Sequence, residues 1–470
     1  MADLELCYTS AFELARCIRE GTVSARAVVE NSLARIDAVN RELNCFCFTY
    51  PGEALARARA ADAALAAGAA TGPLHGVPIA FKDLTPTRGK TTTLGSYVYR
   101  DWVPDFDAAI VDKLLGAGAI LVGKTTTPEF AHAGFTQSPL WGTTRNPWDP
   151  QRTPGGSSGG SAVAVATGCV PLAEGSDMGG SVRIPAAWCG IVGLKPSFGR
   201  IPFDALRTQF DSLSHFGPLT RTVADAALFL SAAQGPDERD IQTLSPPLEI
   251  SLPPCGDVRG LRLALSTDLD HYAIDAEVAA NTEAAVKVLR DLGATIEEVE
   301  LGWTRAVSDA WCEHWCVYLA ALFGQHLERW REHMDPVVVT LLERGLAMSA
   351  VDFKRLEFVR TEQWKRLAPV LERCHALLCP TMRTAAAPTG LSDLDFVSED
   401  AQGRFLGLDL AAPFNLVSQC PALTVPSGFT RSGLPTGLQI VGRRFDDLGV
   451  LRIGQSLEDA LQWTRHRPPV

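Results

Sequence analysis

The sequence has no excess of basic residues and no basic run. Across its 470 residues, 43 Lys and Arg stand against 54 Asp and Glu, which gives a formal net charge of −11 at neutral pH. An acidic chain without a basic patch is poorly suited to phosphate backbones and anionic lipid surfaces. We therefore expect neither a nucleic-acid partner nor a membrane partner.

Long apolar runs and a secretory leader are also missing. No uncharged stretch approaches the ~20 residues that a membrane helix needs. The first ten residues, MADLELCYTS, have neither the basic nor the apolar segment of a signal peptide. The twelve cysteines are scattered rather than arranged as the framework of a small secreted domain. These absences predict a cytoplasmic protein with reduced thiols.

Two segments resemble cofactor motifs but lack the context that such motifs need. Residues 118–125 satisfy the P-loop pattern, yet the residues between its glycines read as a strand and Pro128 soon follows. A phosphate cradle needs a flexible loop there and a helix directly afterwards. Residues 312–316 hold two cysteines and a histidine without a second pair of zinc ligands. We therefore predict no nucleotide, metal or organic cofactor.

Helical and strand patterns alternate along the chain and indicate an α/β fold. Residues 10–40 predict two helices, residues 44–50 a short strand, and residues 303–373 long helices. These last helices carry half of the ten tryptophans, and Trp311 and Trp315 share one helix face because they are four residues apart. Two interpretations stay open for them, namely ordinary helix packing and the aromatic wall of a substrate pocket.

A glycine-rich stretch over residues 154–185 holds two serines that are candidates for chemistry. Ser157 and Ser181 each lie inside a glycine cluster, and Pro185 follows Ser181 by four residues. Glycine permits sharp turns, and proline is tolerated in a first helical turn. Ser181 is therefore predicted at a tight loop that enters a helix. Backbone N–H groups at such a place are unpaired and suit an anion.

A lysine ends an apolar strand upstream of this stretch. The segment Leu74–Asp83 runs from apolar residues into Lys82 and Asp83. A buried lysine is costly unless it is paired or kept neutral. By itself, the pattern favours a surface lysine paired with Asp83.

The glycine-rich stretch resembles the signature of the amidase signature hydrolases. That resemblance also covers most of the chain outside the stretch, including the segment around Lys82 and the C-terminal strands. It implies a large central mixed β-sheet covered by helices on both faces. The matching signature residues are Gly155, Gly156, Ser157, Ser158, Gly159, Gly160, Gly175, Asp177, Gly179, Ser181, Val182, Arg183 and Pro185.

The resemblance also implies a triad of serine, cis-serine and lysine. Neutral Lys82 would accept a proton through Ser157 from Ser181, and Ser181 would attack a carbonyl carbon. Ser158, Asp177 and Arg183 would hold the loops rather than react. Met178 departs from the threonine or isoleucine that is usual at its position, so its side chain would reshape the pocket floor. The oxyanion would be held by the backbone N–H groups of Met178, Gly179, Gly180 and Ser181.

The function expected from these residues is serine-dependent cleavage of a carbonyl C–N bond in an amide, anilide or carbamate through an acyl-enzyme. The alternative is the amidase component of a tRNA-dependent amidotransferase complex, although Ser212–Pro218 differs from the run expected there. Because family members are often dimers, a homodimer is a further option. We expect a single domain over residues 1–470. Its predicted parts are an N-terminal helical layer (1–70), a catalytic core (71–240), an α/β continuation with a helical substrate-pocket region (241–400), and C-terminal strands with a helix that return to the sheet (401–470).

Overall fold

Strands and helices alternate along residues 2–470, the part of the chain that the computed structural model describes. The strands are β1 (Phe46–Thr49), β2 (Pro78–Lys82), β3 (Ile120–Thr125), β4 (Gln137–Ser138), β5 (Gly142–Thr143), β6 (Leu172–Asp177), β7 (Val192–Lys195), β8 (His215–Thr220), β9 (Arg262–Leu265), β10 (Thr295–Glu298), β11 (Ala376–Pro380), β12 (Ala422–Phe429) and β13 (Pro435–Gly442).

The α-helices cover the stretches between these strands. They are α1 (Leu4–Tyr8), α2 (Ala11–Arg19), α3 (Ala25–Leu43), α4 (Pro51–Ala66), α5 (Ala109–Gly116), α6 (Gly159–Ala166), α7 (Arg183–Cys189), α8 (Val223–Ala233), α9 (Ala276–Asp291), α10 (Ala306–Phe323), α11 (Leu327–Trp330), α12 (Pro336–Ala347), α13 (Ala350–Arg373) and α14 (Asp447–Leu461). Within residues 2–470, none of them combines the length and the apolarity that crossing a membrane requires.

Eleven strands form one sheet in the order β1-β3-β2-β6-β8-β7-β12-β13-β11-β9-β10, and β4 pairs with β5 apart from it. The sheet is mixed, because β2 runs parallel to β3 and β6 whereas β7, β8, β12 and β13 pair antiparallel with their neighbours. The prediction of a large central mixed sheet is confirmed.

Both faces of this sheet are buried. Successive side chains of a strand point to opposite faces. Along β9, Leu263 and Leu265 pack into one apolar cluster and Ala264 packs into another. Along β11, Leu378 belongs to the first cluster and Leu377 to the second. Helices therefore cover the sheet on both sides, as the sequence predicted.

The two segments that resemble cofactor motifs have structural roles. Residues 120–125 form strand β3, and the ammonium of Lys124 donates to the carbonyl of Thr85 over 2.9 Å. In the second segment, Cys316 is buried in an apolar cluster of α10. The ring of His314 meets that of Phe353 edge-on, with centroids 5.1 Å apart.

The sheet brings two strand ends together where the candidate site lies. Strands β2 and β6 are parallel neighbours, so their carboxyl ends meet at one edge of the sheet. Strand β2 ends at Lys82 and β6 ends at Asp177. Helix α6 begins just after Ser158 and α7 just after Val182, so both glycine clusters reach the same edge.

Candidate active site

The Lys82 ammonium lies at the end of β2 among serine hydroxyls. Nζ is 2.6 Å from Oγ of Ser157, 3.0 Å from Oγ of Ser158 and 2.9 Å from Oγ of Ser176. The side chain is fully buried. Asp83 is not its partner, because the Asp83 carboxylate accepts the backbone N–H of Thr93 instead. The expectation of a Lys82–Asp83 pair from the local pattern is therefore wrong.

Burial lowers the pKa of Lys82 to about 7, and the charges of Glu174 and Asp177 oppose that shift. Removing an ammonium from water penalises its charged form. Glu174 lies directly beneath Lys82, since its Oε2 accepts the backbone N–H of Lys82 over 2.9 Å. Burial also raises the pKa of Glu174 to about 7. Near neutral pH, a substantial share of Lys82 is therefore neutral and able to accept a proton.

Ser157 and Ser181 meet at the wall of a cavity, to which both contribute. The Gly156–Ser157 peptide bond is cis. The backbone N–H of Ser158 donates to the carbonyl of Ser181 over 3.1 Å and joins the two glycine-rich loops. Among residues 2–470, the hydroxyl of Ser181 has no hydrogen-bond partner, and the side of Ser181 that faces the cavity is open to a substrate.

The loop before α7 carries the backbone N–H groups that were predicted to bind an oxyanion. The N–H of Gly180 is already engaged, because it donates to Oδ1 of Asp177 over 2.8 Å. Within the described chain, the N–H groups of Met178, Gly179 and Ser181 have no protein acceptor. Gly180 has a φ of +98°, which favours glycine. The predicted set of four donors is thus reduced to three that are free.

Asp177 and Arg183 form a buried ion pair that supports this loop. Arg183 donates to Oδ2 of Asp177 from Nε over 2.9 Å and to Oδ1 from Nη2 over 2.8 Å. Burial by itself would raise the pKa of Asp177, but the charge and hydrogen bonds of Arg183 hold it well below its usual range. Arg183 also donates to Asn415 over 2.6 Å and to Gln439 over 2.5 Å. The sequence had not singled out these two amides.

A cavity of about 370 Å³ opens beside Ser181. Its surface is mainly apolar, and Trp311 and Trp315 of α10 both contribute to it. Trp303 packs instead against Phe414 at 5.5 Å, so the two interpretations of the tryptophans each hold for part of the set. The other aromatic residues in the wall are Phe130, Phe203, Tyr272, Tyr318, Phe323, Phe396 and Phe405.

Ser176 is the contact of Lys82 that sequence reasoning missed. It precedes Asp177 in β6, and the alternation of a strand puts it on the same face as Glu174. Because Glu174 contacts the backbone of Lys82, a serine two residues later reaches the ammonium. The signal in the sequence is the pair of polar residues at positions 174 and 176 of an otherwise small and apolar strand.

Comparison with known proteins agrees with this site. The profile of the Amidase family matches residues 27–451. An acylamidase from Rhodococcus erythropolis is 36% identical over 478 residues, which span 100% of this chain and 98% of the relative. The GatA-type component of the glutamyl-tRNA(Gln) amidotransferase from Chloroflexus aurantiacus is also 36% identical, over 490 residues and 99% of each chain.

The fold comparison gives the same family. The crystal structure of a bacterial aryl acylamidase of the amidase signature enzymes superposes with a TM-score of 0.91 at 29% identity, covering 97% of each chain. The family match spans most of the chain, and the relatives align over almost their whole length. The chain therefore belongs to the amidase signature family.

Proposed function

We propose that this protein hydrolyses the carbonyl C–N bond of a small amide through an acyl-enzyme on Ser181. The observation that carries the proposal is the buried contact of 2.6 Å between Lys82 Nζ and Ser157 Oγ at the wall of an open cavity. A serine hydroxyl is a weak nucleophile until a base takes its proton. A lysine kept neutral by burial can be that base.

The proton route begins at neutral Lys82. Lys82 accepts the proton of Ser157, and Ser157 accepts the proton of Ser181 as its oxygen attacks the carbonyl carbon. Ser158 and Ser176 hold the ammonium in place through their hydroxyls. Ser157 then returns a proton to the leaving nitrogen, which would otherwise depart as a poor anionic leaving group. Water cleaves the acyl-enzyme by the same route in reverse.

The negative charge that develops on the carbonyl oxygen needs donors that are already aligned. We assign this role to the N–H groups of Met178, Gly179 and Ser181, since that of Gly180 is held by Asp177. One such donor typically contributes ~3–4 kcal/mol to lowering the barrier. The Asp177–Arg183 pair keeps the donors in position without contacting the substrate.

The cavity favours a substrate with an aryl or other apolar group. Aromatic side chains bind flat apolar groups through burial and ring packing. The name of the structural relative, an aryl acylamidase, fits this preference. A carbamate offers the same carbonyl carbon and leaving nitrogen, so a urethane-type substrate is part of the same proposal.

The second candidate is a partner-dependent component of an amidotransferase. The 36% identity to the Chloroflexus aurantiacus glutamyl-tRNA(Gln) amidotransferase component favours it. The aromatic cavity favours the small-molecule amidase. Ser214, within the divergent segment 212–218, also contributes to the cavity wall, so the divergence lies where a substrate would bind.

The two candidates are separated by assaying the purified chain alone. We expect release of aniline-type amines from aryl amides or aryl carbamates, measured by liquid chromatography, and no release by Ser181→Ala. Ammonia from glutamine, measured in the same samples, is the comparison. Release of ammonia from glutamine only when an amidotransferase partner and tRNA are added, with no hydrolysis of any aryl substrate, would favour the partner-dependent role.

A further inference from the structure

Trp311 joins the helical region to the loop that carries the nucleophile. Its indole N–H donates to the carbonyl oxygen of Met178 over 2.9 Å. The two residues are 133 positions apart in the chain. Trp311 therefore contacts both the cavity and the backbone of the loop before α7.

This hydrogen bond acts on the same peptide group that holds one proposed oxyanion donor. The carbonyl of Met178 and the N–H of Gly179 belong to one trans peptide unit, in which they point in opposite directions. A donor that fixes the carbonyl therefore also fixes the direction of the N–H. Without it, the peptide plane between Met178 and Gly179 can rotate, since glycine restricts the backbone least.

The indole also packs directly against Gly179. A Cβ added to Gly179 would overlap the six-membered ring of Trp311. One turn further along α10, the indole N–H of Trp315 donates to the carbonyl of His132 over 2.9 Å. The two indoles stack with centroids 6.3 Å apart and planes 18° apart. Trp311 is thus fixed by its own helix, which is anchored to the opposite wall of the cavity.

We propose that Trp311 is a positioning residue that aims the Gly179 N–H at the oxyanion, acting through the Met178 carbonyl. The inference rests on the proposed function of the Ser181 loop. It predicts that Trp311 matters more for the transition state than for the bound substrate. Only interactions that strengthen in the transition state raise kcat.

The variant Trp311→Phe tests the inference, because it keeps an aromatic ring and removes the N–H. We expect kcat for an aryl amide to fall about tenfold or more, while KM changes by less than about threefold. An aryl trifluoromethyl ketone, which forms an oxyanion adduct with a serine, should lose affinity by the same factor as kcat/KM. The matching aryl alcohol, which forms no adduct, should inhibit both enzymes equally.

Trp463→Phe is the matched control. The Trp463 indole N–H donates to the carbonyl of Arg221 over 3.0 Å, and this buried residue does not line the cavity. We expect a similar decrease in Tm for both variants and wild-type kinetics for Trp463→Phe. Wild-type kcat and ketone affinity in folded Trp311→Phe would overturn the inference, as would a loss confined to KM.

Gly179→Ala is the second variant if Trp311→Phe does not fold. Its methyl group displaces the indole, so it should reproduce the losses in kcat and ketone affinity, and wild-type kinetics would overturn the inference. Wild-type protein that neither hydrolyses aryl substrates nor binds the ketone would instead overturn the proposed function, and the inference with it. The two failures are therefore distinguishable.

Discussion

Asp177 and Arg183 form a two-pronged ion pair directly beneath the loop that presents Ser181. Both side chains are fully buried, and their two contacts measure 2.8 Å and 2.9 Å. Asp177 additionally accepts the backbone N–H groups of Gly180 and Val182. One carboxylate thus connects the end of β6 to the start of α7, and its charge is compensated by the guanidinium.

Replacing Arg183 by methionine should destabilise the fold strongly. The substitution leaves the Asp177 carboxylate buried without its counter-charge, and breaking a buried pair in this way typically costs ~3–5 kcal/mol of unfolding free energy. Urea denaturation followed by circular dichroism measures the change. Lys287→Met is the control, since Lys287 pairs with Asp291 on the surface, where a pair contributes about 0–1 kcal/mol. Equal losses in the two variants would contradict the role of Asp177 and Arg183.

The three residues of the proposed proton route should differ in what they leave behind. Ser181→Ala removes the nucleophile and should abolish turnover. Lys82→Ala and Ser157→Ala keep the nucleophile but remove its activation, so each should lower kcat by ~10³-fold or more. Their effects should not add in the double variant, because the two residues act as a unit. Steady-state kinetics on an aryl amide measures this, and near-wild-type kcat in any single variant would contradict the assignment.

The pH dependence of kcat/KM should follow the protonation of Lys82. Its pKa is lowered to about 7 by burial, and only the neutral form accepts a proton. Below pH 7, kcat/KM should therefore fall by about tenfold per pH unit, and above pH 7 it should level off. Because the charge of Glu174 favours protonated Lys82, Glu174→Gln should move the acid limb to lower pH.

Glu458→Gln is the control for that shift. Glu458 is another buried carboxyl, whose pKa burial raises to about 8, and it accepts the backbone N–H of Val223 far from the glycine-rich loops. Its replacement should leave the acid limb unchanged. A limb that does not move in Glu174→Gln, or that moves equally in both variants, would show that the limb does not report Lys82.

Ser176→Ala should lower activity less than Ser157→Ala does. Ser176 contributes one of three hydroxyls around Lys82 Nζ, at 2.9 Å, but it is not on the proposed proton route. We expect a decrease in kcat of several-fold with little change in KM, because Lys82 keeps two other partners. A loss as large as that of Ser157→Ala would mean that Ser176 takes part in proton transfer.

The sequence predicted those parts of the site that local patterns encode. Ser181 before a helix follows from its glycines and Pro185, and Lys82 follows from the end of an apolar strand. The contact between Trp311 and Met178 could not be predicted, because it depends on how α10 packs over the sheet. The engagement of the Gly180 N–H by Asp177 likewise depends on the exact turn of the loop. The strand order was hidden as well, since pairs such as β11 with β9 join distant segments.

The most direct test of the account is the site of covalent labelling by an aryl fluorophosphonate, read by intact mass and peptide mapping. We expect a single adduct on Ser181 in the wild-type protein, no adduct in Ser181→Ala, and labelling of Lys82→Ala slowed by orders of magnitude at pH 8. An adduct on Ser157, or undiminished labelling of Ser181→Ala, would contradict the assignment of Ser181 as the nucleophile.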